Sequence, residues 1–113
     1  MHELAITESV LQISMEEAER AGATRIEAIK VSIGSLTGVV PDSVQFYLDA
    51  LSRGTIAEGV RLEATIVPIL ATCQVCGHVF PVPELELHCP VCGALGVVTQ
   101  GRELRVESIE VQT

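Results

Sequence analysis

Residues 73–93 read CQVCGHVFPVPELELHCPVCG, and this stretch decides how the rest of the chain divides. Cys73-Gln-Val-Cys76 and Cys89-Pro-Val-Cys92 are two C-x2-C pairs separated by twelve residues. Each pair makes a short turn that brings two thiolates onto one ion. Gly77 and Gly93 follow directly and permit the positive φ that such turns require. A short hairpin spans the gap between them. Together the four cysteines, Cys73, Cys76, Cys89 and Cys92, read as one tetrahedral zinc site. A redox dithiol uses a single pair beside a βαβ unit instead. A rubredoxin-like iron site has similar knuckles, and thiolates alone do not exclude iron, but only Phe80 is present to build an aromatic shell. His78 and His88 flank the cysteines. They are candidates to tune the zinc site, as alternative ligands or by titration, and the plainer reading makes them hairpin residues with no metal role.

The cysteine module takes residues 71–100. It falls below the ~40 residues under which a fold needs metal or disulfides, and bound zinc supplies ~10–16 kcal/mol apparent in small zinc domains. Outside it the patterns are those of an ordinary core. Leu4 to Ala21 is helical, with Glu8, Ser9, Gln12, Glu16, Glu19 and Arg20 on one sector and Leu4, Ile6, Val10, Leu11, Met15 and Ala18 on the rest, and Gly22 is placed to end it. Arg25 to Ile33 is rich in β-branched residues and reads as a strand, followed by a loop from Gly34 to Val40. Pro41-Asp42 starts a second helix, with Val44, Tyr47, Leu48 and Leu51 on one face. Val60, Leu62, Ala64 and Ile66 alternate with polar residues as a half-buried strand does. In the last strand Leu104 and Val106 alternate in one phase and Ile109 and Val111 in the other, so a β-bulge is expected at Glu107-Ser108. The expected class is α+β. Two helices pack on a three-stranded sheet formed by residues 1–70 plus 101–113, and the zinc ribbon at 71–100 is inserted before the final strand.

Charge narrows the function. Fifteen Asp and Glu against seven Lys and Arg leave a net charge of −8. From Leu62 to Gly101 there is no Lys or Arg at all, while Glu63, Glu84 and Glu86 are present. Such a surface repels phosphate, which argues against a nucleic-acid-binding ribbon and against a polybasic membrane role. It suits instead a protein partner that docks by charge, or one that docks on apolar residues such as Val79, Phe80 and Val82. No cationic-then-apolar leader and no membrane span is evident, so the expected compartment is the cytoplasm. Apolar residues make up 48% of the chain, enough for a core built almost without aromatics.

The N-terminus carries a second metal signal. The Met1 amine, the His2 backbone nitrogen and the His2 imidazole can wrap one ion in adjoining chelate rings, a donor set that suits square-planar Ni(II) or Cu(II). Alone, an early His is a solvated residue of a frayed end. In combination, Met1-His2-Glu3, Ile33-Gly34, Pro41-Asp42-Ser43-Val44-Gln45-Phe46, the double knuckle and the Leu104–Val111 strand resemble the HypA family of hydrogenase nickel-incorporation proteins over essentially the whole chain. The resemblance implies a nickel metallochaperone with no catalytic step. It would pass Ni(II) to the immature large subunit of [NiFe]-hydrogenase with the GTPase HypB, and in some relatives serve urease maturation proteins. It implies that Met1, His2 and Glu3 hold nickel, that the four cysteines hold structural zinc, and that Asp42 supports the nickel site. Gly93 departs from relatives with a His directly after the last Cys. A monomer and a homodimer are both compatible. Two alternatives stand beside this reading: an acidic zinc-ribbon adaptor without transferable metal, and a rubredoxin-like electron carrier.

Overall fold

Two separate three-stranded sheets organise the chain, one on each side of the junction at residues 67–70 and 100–104. The structure is a computed structural model that describes residues 2–113. Helix α1 spans Glu3–Arg20 and is followed by strand β1 (Arg25–Gly34), a short 3-10 turn at Ser35–Thr37, helix α2 (Pro41–Leu51) and strand β2 (Arg61–Val67). Strands β3 (Leu70–Cys73), β4 (Val79–Pro81) and β5 (Gly96–Gln100) come next, and β6 (Leu104–Gln112) closes the chain. The expected order of helix, strand, helix, strand, cysteine module and strand is the observed one.

The first sheet has the order β2-β1-β6. β1 and β2 run parallel, with α2 as the crossover that parallel neighbours require, and β6 pairs with β1 antiparallel. α2 is tied to the β2 edge by one side chain. The Gln45 amide donates to the Val60 carbonyl at 3.1 Å, and its oxygen accepts the Leu62 N–H at 2.7 Å. The expected bulge in β6 is present, since Lys30 pairs with Ser108 and Val31 with Val106, leaving Glu107 unpaired. That extra residue lets Val106, Ile109 and Val111 all reach the same core. Glu107 then turns outward to accept from Ser32 and Arg105. The core is aliphatic, with Ile26, Ile29, Ile33, Val44 and Leu48 among its most buried residues.

Helix α1 buries Thr7, Val10, Ser14 and Ala18. The two hydroxyls are tolerated there because each donates back to a carbonyl four residues earlier, Thr7 to Glu3 at 2.6 Å and Ser14 to Val10 at 2.8 Å. Leu4, expected on the apolar side, is instead exposed at the first turn, where it borders an open cleft beside His2. Ile66, expected to face inward, is exposed near the end of the edge strand β2.

The second sheet has the order β4-β3-β5, antiparallel throughout. The module is thus a small sheet, a fuller structure than the expected hairpin. Phe80 and Val82, named with Val79 only as the alternative to docking by charge, are buried with Ala71, Cys73 and Cys89 in its separate core. Ile69, Leu87 and Ala94 pack against this core from its margin.

Where the two sheets meet, the backbone is packed too closely for side chains. A Cβ on Gly34 would lie 2.0 Å from the Gly101 carbonyl oxygen, and Gly101 has φ +115° with Ile69 against it. The molecule measures 55 × 25 × 16 Å with a radius of gyration of 17.6 Å. A single compact core of this length would give about 13 Å, so the two sheets sit end to end.

Candidate metal centre

Each cysteine pair is built by the same local bonds. At the end of β3, Cys73 N–H donates to the His78 carbonyl at 2.9 Å and Gly77 N–H to the Cys73 carbonyl at 3.2 Å. In the second knuckle Cys89 N–H donates to Ala94 at 2.8 Å and Gly93 N–H to Cys89 at 2.9 Å. Gly77 and Gly93 have φ of +76° and +77°, the left-handed values anticipated at those positions. The two turns face each other, and all four sulfurs lie within 4.8 Å of one another. Cys73 and Cys92 Sγ are 3.4 Å apart, and Cys76 and Cys89 Sγ 3.7 Å. Those separations exceed a disulfide bond and approach the edge of about 3.8 Å expected for four thiolates around an ion at about 2.3 Å. The donor set therefore fits a tetrahedral ion of zinc's size.

The thiols are not equivalent. Backbone N–H groups of Cys76 and Val75 point at Cys73 Sγ, each at 3.4 Å, and lower its pKa to about 6. Burial pushes the Cys89 thiol up, but the N–H groups of Cys92 and Val91 outweigh it, and Cys89 ends below an ordinary thiol. The His78 N–H pulls Cys76 down, yet burial and the three neighbouring sulfurs push it up to about 12. The cluster thus presents a thiolate at Cys73 and a proton at Cys76, which a divalent cation would displace.

The flanking histidines are placed apart from the sulfurs. The His78 ring lies parallel to Phe80, centroids 6.2 Å apart. His88 Nδ1 sits 2.5 Å from Glu86 Oε1, which also accepts the His88 backbone N–H, and these bonds hold the Glu86 carboxyl below its ordinary pKa. Among the described residues, the metal-capable group consists of the four cysteines alone.

The N-terminal candidates lie with the first sheet. The Met1 amine, expected as a nickel ligand, is outside the described residues. His2 precedes α1, accepts the Ile6 N–H on its carbonyl at 3.1 Å and leaves its side chain exposed. Glu3 Oε2 accepts the N–H of Val40, the residue before α2, at 2.8 Å. This bond ties the starts of the two helices together and places Asp42, in the first turn of α2, two residues from the tie. An open cleft beside His2 is lined also by Glu3, Glu8 and Tyr47. Glu8 and Tyr47 were not singled out from the sequence. Glu8 read only as part of a solvated face, and Tyr47 as a core position, because their approach to His2 depends on how α1 and α2 pack.

Residues 1–111 match the family model described as hydrogenase/urease nickel incorporation, metallochaperone, hypA. The chain belongs to the HypA family. It is 46% identical to the hydrogenase maturation factor HypA of Geobacter sulfurreducens, covering 99% of this chain and all of that one. It is 41% identical to the HypA of Caldanaerobacter subterraneus, again over 99% of this chain and all of the relative. Its fold matches the solution structure of the Ni metallochaperone HypA from Helicobacter pylori with a TM-score of 0.70 at 24% identity, covering 100% and 99% of the two chains. A second HypA solution structure matches with a TM-score of 0.76 at 24% identity over 98% and 96%. As a HypA protein the chain falls in a metallochaperone family for hydrogenase nickel incorporation, and no helix among the described residues is long and apolar enough to cross a membrane.

Proposed function

We propose that this HypA protein binds Ni(II) at its N-terminus and delivers it, in the cytoplasm and with a HypB-type GTPase, to the immature large subunit of [NiFe]-hydrogenase. Urease maturation proteins are a second class of recipient. The nickel donors are the Met1 amine and the backbone nitrogen and imidazole of His2, with Glu3, through its backbone nitrogen or carboxylate, and Asp42 in support. Because the Glu3 carboxylate is already bonded to Val40, its part is to fix the helix start from which His2 projects. Cys73, Cys76, Cys89 and Cys92 hold zinc that stays in place. Zinc there neutralises the thiolates and stabilises a module whose own core is too small to fold. The chain works as two units, residues 1–70 with 101–113 and residues 71–100, and performs no catalytic step.

The observation that carries this reading is the contrast between the two candidate sites. His2 is exposed at a helix start, where a chelate opens by fraying, whereas Cys73 and Cys89 are buried inside a closed set of four sulfurs. Cargo needs the first kind of site and structure the second. Metal analysis of the purified protein after one equivalent of Ni(II) tests it. The expected result is one zinc and one nickel per chain, with a nickel spectrum distinct from thiolate coordination. Nickel found only by displacing zinc would refute it.

A further inference from the structure

The sheet of the cysteine module has one face packed and one face open, and the open face is of the wrong kind for water. Antiparallel sheets with a solvated side normally alternate apolar inward and polar outward. Here Ala71, Cys73 and Phe80 point into the module core. On the opposite face the register aligns Val79 of β4, Thr72 of β3 and Val97 of β5 in one row across the sheet. Val79 is 52% exposed and Val97 44%, and Leu95, two residues before Val97, is 55% exposed. The one polar pair on this face, Thr72 and Thr99, is bonded to itself at 2.9 Å. Three large aliphatic side chains therefore stand together on a small exposed sheet, the composition of a binding surface.

Charge identifies what covers it. Residues 70–100 contain Glu84 and Glu86 and no Lys or Arg. A divalent ion among four thiolates adds two more negative charges. A nucleic acid or an anionic lipid surface is repelled, and two copies of the module facing each other repel as well. We propose that the outer face of the β4-β3-β5 sheet, centred on Thr72, docks a partner-protein segment that carries aliphatic side chains flanked by Lys or Arg. This goes beyond nickel carriage, and nickel plays no part in its test.

The zinc-loaded, isotope-labelled chain is titrated with an octapeptide of alternating lysine and valine, and separately with its glutamate–valine counterpart, while backbone amide shifts are followed. The lysine peptide is expected to move the amides of Thr72, Val79, Leu95 and Val97, and the glutamate peptide to leave them in place. Val79→Ser combined with Val97→Ser should weaken the lysine peptide about tenfold or more, since two aliphatic contacts are lost. Thr72→Lys should abolish its binding and admit the glutamate peptide. Zinc is counted in every variant, so if the double variant loses metal, Thr72→Lys carries the test. The proposal is overturned by equal binding of both peptides, by shifts confined to the acidic face of α1, by no shifts at millimolar peptide, or by unchanged affinity in a zinc-retaining variant. Self-association through this face, seen by sedimentation, would also overturn it and assign the surface to a second copy.

Discussion

The two halves of this molecule keep their shape by different means. The first sheet with its two helices closes over a core of isoleucines, valines and Leu48, none of which has chemistry beyond its size. The second sheet has five buried apolar residues, and two of them, Cys73 and Cys89, belong to the metal-binding set. Under the proposed function, hydrophobic burial holds one half and a bound cation holds the other. On that proposal the cargo metal and the structural metal belong to separate sheets, which keeps the two dependences apart.

The sharpest way to break the contrast is Cys76→Ala. It should remove zinc and with it most of the ~10–16 kcal/mol that metal supplies to such a module. The amide spectrum should lose dispersion over residues 71–100 while α1, α2 and the first sheet keep theirs. Stoichiometric zinc in this variant would sink the four-sulfur assignment. The reciprocal change is Leu48→Ala, which empties a fully buried site in the first core. It should cost about 2–5 kcal/mol in denaturant unfolding, with zinc content unchanged until the global transition.

Acidification separates the halves next. The folded-state pKa of Cys73, about 6, lies below the ordinary thiol value of 9.0. The stability its thiolate contributes is therefore fully present above the ordinary value and is lost as pH falls through about 6. Zinc, read with a chromogenic chelator, should be retained at neutral pH and released only on acidification to below that value, because the bound ion itself holds the thiolates deprotonated. Cys76, pushed up to about 12, keeps its proton at neutral pH without metal. Zinc uptake at pH 7 should accordingly displace the Cys76 proton, so the binding heat should depend on the buffer's ionisation heat, which calorimetry in several buffers detects. The smallest effect belongs to Ser52, whose buried hydroxyl has no hydrogen-bond partner. Ser52→Ala should be neutral or stabilising by up to about 1 kcal/mol in thermal unfolding, with zinc unaffected.

What could be read from the sequence follows the same division. Long periodic stretches declared themselves, as in α1, α2 and β6, and even the bulge at Glu107 was visible as a change of phase between Val106 and Ile109. The cysteine spacing specified both knuckles, including the glycines that end them. The module's strands are only three to five residues long, too short for alternation to register, so its sheet was hidden. For the same reason the sequence offered Phe80 and Val82 as surface, although that sheet buries them. Thr7 and Ser14 were not recognised as buried because their bonds back into α1 satisfy them without a partner from elsewhere. The cleft that joins His2 to Glu8 and Tyr47 exists only through the packing of α1 on α2, which one-dimensional patterns do not encode.

The central claim is that cargo and structural metals occupy separate sites, with the cargo held by the chain's first residues. It is tested most directly by calorimetric Ni(II) titration of the tag-free protein against the same protein acetylated at the Met1 amine, with zinc quantified in both. Acetylation turns the amine into an amide without a basic lone pair and leaves the cysteines untouched. The expected result is that nickel binding disappears on acetylation while zinc stays at one per chain, with His2→Ala behaving alike. Equal nickel affinity in the free and acetylated proteins would contradict the account.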